Sequence, residues 1–216
     1  AECERRILAE EVVRRRMAAL DGRILHGVDD AKRRNDFAAR EDLDLELVVG
    51  CRGDALRQDF GRAEDEDIRR VAAVRKALGD EATIYIDANN GYYAKQAIRL
   101  AESFKQSNVR WFEEPVLADD IPGLAQVAAN TTIPVATGEH EYTKYGLRDL
   151  ITAGAVDIVQ ADIGRVGGVT EWMKISHIAA AFNLPVAPHA YCLQHLHPAM
   201  ATPNLMEQIG ANWNCN

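Results

Sequence analysis

Ile84-Tyr85-Ile86-Asp87, Val109-Arg110-Trp111-Phe112-Glu113, Ile133-Pro134-Val135-Ala136-Thr137-Gly138-Glu139, Val156-Asp157-Ile158-Val159-Gln160-Ala161-Asp162 and Leu184-Pro185-Val186-Ala187-Pro188-His189 are five apolar runs, each leading to one acid or histidine. The polar residues recur at positions 87, 113, 139, 162 and 189, a spacing that suits one strand, one helix and two loops. In a parallel sheet or barrel, such repeats bring every strand end to one face. Three carboxylates there make a site for a hard cation, and an Asp beside a His makes a proton-transfer pair.

Working outward, helical spacing continues the same alternation. Helices are predicted from Asp65 to Leu78, over Ala94–Gln106, Ile121–Asn130, Tyr145–Ala153 and Val169–Phe182, with a short one near Leu193–Met200. Trp172, Ile175, Ile178 and Ala179 form the core stripe of the Val169–Phe182 helix. Upstream, residues 1–20 read as an amphipathic N-terminal helix, Asp29–Asp42 as a surface helix, and Cys51–Glu64 as an unpatterned excursion. Strand starts near Arg23, Leu43, Thr83, Val109, Ile133, Val156, Leu184 and Leu205 make eight alternating units. The fold class is therefore α/β, a (β/α)8 TIM-type barrel over residues 21–216, preceded by the 1–20 helix. At 216 residues it is short for that architecture and reads as trimmed.

Composition narrows the partners. The formal charge of −8, from 25 basic and 33 acidic residues, argues against nucleic-acid binding. No apolar run reaches the roughly 20 residues that span a bilayer, so no membrane partner is expected. Cys3, Cys51, Cys192 and Cys215 show no CxxC spacing, and the expected compartment is the cytoplasm. The exposed helices of a barrel leave room for a homo-oligomer.

Asp87, Glu113 and Glu139 each follow a strand, and clustered carboxylates repel unless a cation or proton joins them. Oxygen-only ligands select Mg²⁺, Mn²⁺ or Ca²⁺ over zinc. His189 is in phase with these acids at a strand end, whereas His195 and His197 are out of phase and read as structural. Asn89 and His140, beside two of the acids, are candidate substrate-binding residues. Gly167-Gly168 reads as a tight turn, since no P-loop pattern accompanies it.

Taken in order, Asp87-Ala88-Asn89, Glu113-Glu114-Pro115, Gly138-Glu139-His140-Glu141-Tyr142, Asp162-Ile163-Gly164-Arg165-Val166-Gly167-Gly168 and Ala187-Pro188-His189 resemble the enolase superfamily, in its mandelate racemase and muconate lactonizing branch. The similarity runs from about Ile68 to Gly210. It implies a modified TIM barrel with a separate α+β capping domain, which the 216 residues are expected largely to lack. It also implies Mg²⁺ as cofactor, with Mn²⁺ as the alternative, and Asp87, Glu113 and Glu139 as ligands. His189 would be the general acid/base, oriented by Asp162, and Glu207 would hydrogen-bond the carboxylate of a small-molecule substrate.

The implied reaction removes the proton alpha to a carboxylate and dehydrates an aldonic or aldaric acid. A racemase or epimerase of an α-hydroxy or amino acid is the alternative, as is an inactive metal-binding barrel. One departure bears on this choice. The family commonly carries Lys-x-Lys on its second strand, where Leu45-Glu46-Leu47-Val48-Val49-Gly50 places Glu46 and Val48. A valine cannot move a proton, so chemistry centred on His189 is favoured over two-base racemisation.

Overall fold

The computed structural model describes residues 37–39, 45–50, 60–80, 82–189 and 192–206. The expected 1–20 helix, the strand near Arg23 and Glu207 lie outside them. Strands β1 (Phe37–Ala39), β2 (Leu45–Gly50), β3 (Thr83–Asp87), β4 (Val109–Glu113), β5 (Val135–Thr137) and β6 (Ile158–Val159) form one sheet in sequence order. β1 and β2 are antiparallel, as their short connection requires, and every later pairing is parallel. Parallel bridges from Val159 to Val186 and from Val186 to Leu205 carry the order onward through the two remaining predicted strand positions.

Helices return the chain between strands: α1 (Phe60–Leu78), α2 (Ala94–Phe104), α3 (Ile121–Ala129), α4 (Thr143–Thr152), α5 (Ile163–Val166), α6 (Val169–Ala181) and α7 (Cys192–Met200). Two predictions need correction. The helix expected over Asp29–Asp42 contains β1 instead, because ladder pairing with β2 satisfies that backbone and overrides a weak helical preference. The helix expected from Asp65 already begins at Phe60. The start of α3 follows local chemistry: Asp120 accepts the N–H of Gly123 at 2.9 Å, and Pro122 occupies its first turn.

The strands divide two apolar layers by their period of two. Ile84, Ile86, Phe112, Val135, Val159 and Val186 pack with the helix residues Val74, Leu100, Phe104, Leu124, Leu147 and Ile175. Phe112 meets Phe104 edge to face, with ring centroids 5.9 Å apart. Each such fully buried side chain stabilises the fold by about 1.5–3 kcal/mol. The opposite face carries a second cluster of Tyr85, Trp111, Ala136, Ile158 and Ala187, with Tyr85 and Trp111 also edge to face at 5.6 Å. Asp87, Glu113, Gln160 and His189 share the parity of Tyr85, Trp111, Ile158 and Ala187. The second layer is thus the barrel interior, and the polar residues form the next layer toward its mouth.

Candidate active site

Asp87 and Glu113 are register partners at the ends of β3 and β4. Glu113 is buried; its Oε1 accepts a hydrogen bond from Gln160 Nε2 at 2.6 Å, and its Oε2 accepts one from Trp111 Nε1 at 3.0 Å. Burial, reinforced by the charges of Asp87 and Glu139, raises Glu113 well above the usual carboxylate range, against the two hydrogen bonds that lower it. Oδ1 of Asp87 accepts the backbone N–H of Asn89 at 2.8 Å.

Two residues reach this layer by breaking the strand alternation. Glu139 is out of phase with Ala136, and Gly138, at φ +127°, supplies the turn that brings it in. A Cβ on Gly138 would meet Leu147 Cδ1 at 2.8 Å. Glu114 follows Glu113 directly and in an extended strand would face away from it. Its left-handed backbone, at φ +40°, turns it into the same cluster, where Oε2 accepts Asn90 Nδ2 at 2.5 Å. Glu114 is 1% exposed, and its Oε1 has no hydrogen-bond partner among the described residues. Burial first, then the charges of Glu139 and Asp87, raise its carboxyl to about 8.

Asp162 is fully buried. Its Oδ1 caps α5 by accepting the N–H groups of Gly164 at 2.7 Å and Arg165 at 3.2 Å, which leaves Oδ2 for His189 Nδ1 at 2.9 Å. His189 Nε2 lies 2.9 Å from Glu139 Oε2. Burial pulls the imidazole down, but the bond and charge of Glu139, then Asp162, prevail and raise it to about 9. Carboxylates thus face both ring nitrogens of His189. Glu139 correspondingly falls below its ordinary value, because the His189 bond and charge outweigh its burial.

His140 and Arg165 complete the rim. Arg165 Nη1 donates to the Glu139 carbonyl and to His140 Nδ1, both at 3.0 Å. Since arginine only donates, Nδ1 accepts in that pair, while Nε2 lies 3.3 Å from both Asn90 Nδ2 and Glu114 Oε2 and 3.4 Å from Glu139 Oε1. Asn89 is exposed, and Asn90 makes the side-chain bonds to the cluster instead.

The donor chemistry fits a hard divalent cation. Carboxylates come from three strand ends, their mutual repulsion is what a cation relieves, and one buried carboxylate oxygen has no partner among the described residues. Among the described residues, the ligand atoms within 4.8 Å of one another are those of Glu114, Glu139 and His140. Asp87 and Glu113 adjoin that group, with Glu113 turned onto Gln160 and Trp111. Glu114, Gln160 and Arg165 had no assigned role in the sequence reading. The only signal was that Glu114 and Arg165 lie inside the motif stretches.

His195 is a core residue, as its phase predicted. It is fully buried, accepts the Ile163 N–H on Nε2 at 3.0 Å, and meets the Trp172 ring edge to face at 5.6 Å.

A barrel with acids and one Asp-bound histidine at consecutive strand ends defines a class built for chemistry at its mouth. The family model described as enolase C-terminal domain-like matches residues 46–214, and the chain belongs to that family. It is 44% identical over 138 residues to an L-talarate/galactarate dehydratase of Salmonella typhimurium, covering 64% of this chain and 35% of that protein. It is 39% identical over 137 residues to a D-galactarolactone cycloisomerase of Agrobacterium fabrum, covering 63% of this chain and 36% of that protein. The crystal structure of a racemase from Streptomyces coelicolor A3(2) with bound magnesium superposes with a TM-score of 0.71. That match is 27% identical and covers 85% of this chain and 48% of the other. The chain thus spans about a third of the length of these curated relatives. Among the described residues no helix is long and apolar enough to cross a membrane.

Proposed function

We propose that this chain carries the catalytic face of a Mg²⁺-dependent sugar-acid dehydratase. The observation that carries the reading is His189, held by Asp162 through Nδ1 while Nε2 faces the carboxylate cluster. The likeness to the Salmonella dehydratase supports the reaction class. Asp87, Glu113 and Glu139 would hold the ion, which when bound supplies Lewis-acid stabilisation of the charge that develops as the α-proton leaves.

The protein's own part is positioning and proton transfer. Asp162 keeps a proton on Nδ1 and fixes the ring plane, so a deprotonated Nε2 is the base that faces the substrate. Nε2 takes the α-proton, and the C–H electron pair becomes the new C=C bond. The β C–O bond breaks, and the departing oxygen takes a proton from His189, releasing water. The enol left behind tautomerises to a 2-keto-3-deoxy acid. Gln160 and Trp111 fix both oxygens of Glu113, as supporting hydrogen bonds do at metal ligands.

On the second strand, position 48 is the register partner of Tyr85, and a valine stands there. With no proton-moving group at that position, one-sided chemistry through His189 is favoured over racemisation.

The test is α-proton exchange in D₂O with an aldarate. His189→Asn should lower exchange by roughly 10²–10⁴-fold while Mg²⁺ affinity, measured by calorimetry, is retained. Exchange at the wild-type rate in the variant would refute the assignment.

A further inference from the structure

An acidic mouth that takes an anionic substrate needs cationic recognition besides a metal, and Arg165 has a geometry suited to it. Its Nη1 donates to the Glu139 carbonyl and to His140 Nδ1, both at 3.0 Å, with Glu139 Oε1 an ion-pair partner at 3.8 Å. Nε and Nη2, the two donors along the other side of the fork, have no partner among the described residues. The side chain is 36% exposed, so a ligand can reach it. His140 reinforces the arrangement: its Nδ1 accepts Nη1 and fixes one end of the guanidinium. The fork is therefore oriented before any ligand arrives, which reduces the ordering cost of binding. Two parallel N–H donors on a planar cation match a carboxylate in a way that neither hydroxyls nor a lysine can.

We infer that the open Nε–Nη2 edge of Arg165 is a substrate-recognition element that binds a carboxylate of the sugar acid, with His140 holding the guanidinium in place. This rests on the sugar-acid reading above. The carboxylate is either the one beside the reacting carbon or the terminal one of an aldarate, and the two make different predictions.

The experiment compares galactarate with galactonate, which differ only in the terminal carboxylate. Binding is measured by calorimetry on the full chain with saturating Mg²⁺, and Mg²⁺ alone is titrated separately. Arg165→Lys keeps one cationic donor for the Glu139 carbonyl but loses the two-donor edge. It should weaken sugar-acid binding on the order of tenfold, with Mg²⁺ affinity within twofold of wild type. Arg165→Met should weaken it further. Loss confined to galactarate places the edge on the terminal carboxylate, and equal loss for both places it on the shared one.

Two outcomes overturn the inference. One is unchanged affinity for both acids. The other is a loss that tracks a matching fall in Mg²⁺ affinity, which would make Arg165 only a support for Glu139. If the wild-type chain binds neither acid, the sugar-acid reading itself fails, a result distinct from either of these.

Discussion

Oε2 of Glu139 lies 2.9 Å from Nε2 of His189, so the expected metal ligand and the expected base are hydrogen-bonded to each other. Their pairing explains why the histidine is raised and the glutamate lowered. In the proposed reaction each partner would have a further role, Glu139 toward the ion and His189 toward the substrate.

Removing a carboxylate should therefore be read first as metal affinity. Asp87→Asn, Glu113→Gln and Glu139→Gln are each expected to weaken Mg²⁺ binding by at least about tenfold, the scale on which changes around a metal site are felt. Calorimetric titration of the chelator-treated chain checks this, and chelator treatment alone should abolish turnover. Wild-type affinity in all three variants would remove these acids from the site.

Gly138→Ala should disturb the site without touching a functional group. The substitution meets Leu147 Cδ1 at 2.8 Å and forces an alanine into φ +127°. A loss of roughly 1–3 kcal/mol in urea unfolding is expected, together with weaker Mg²⁺ binding through a displaced Glu139. A variant with wild-type stability would show that the turn has an easy alternative.

His195 and His189 should separate cleanly. His195→Leu leaves the buried Ile163 N–H without its acceptor, at a cost of about 1–3 kcal/mol. Its α-proton exchange should nevertheless fall by less than tenfold, far short of the His189→Asn effect. Comparing urea denaturation with exchange in the two variants decides it, and a collapse of exchange in folded His195→Leu would contradict the core role.

Asp67 gives the fold a pH dependence away from the site. It is 2% exposed on α1 and accepts the Tyr92 hydroxyl at 2.7 Å. Burial raises it to about 6 from an ordinary 3.8, against the lowering effects of Tyr92 and Arg70. The native state therefore holds this proton more tightly than the unfolded chain does. This contribution is greatest below about pH 4 and is lost as pH rises through 6, by about 3 kcal/mol at most. Melting curves of wild type and Asp67→Asn between pH 4 and 8 should differ in slope in that window, and parallel curves would refute the shift.

Much of this site was legible because strand and helix periods are written in the chain. The runs ending at Asp87, Glu113 and His189 carry their functional residue on the parity that faces the barrel interior. Reading the spacing therefore also read the face. His195 was legible for the same reason, being out of phase. Where the periodic signal was weak, as in Asp29–Asp42, hairpin pairing with β2 decided the structure against the helical preference.

Sequence alone determined the order of the units, the parity of most site residues and the membership of the family. Tertiary structure decided which groups share hydrogen bonds. Glu114 joins the cluster through a single left-handed backbone angle, and Gln160 reaches Glu113 across 47 residues of chain. Arg165 seats the Glu139 carbonyl 26 residues away. These contacts depend on which strand ends become neighbours and on local breaks in alternation. The tertiary fold sets both, and sequence spacing records neither.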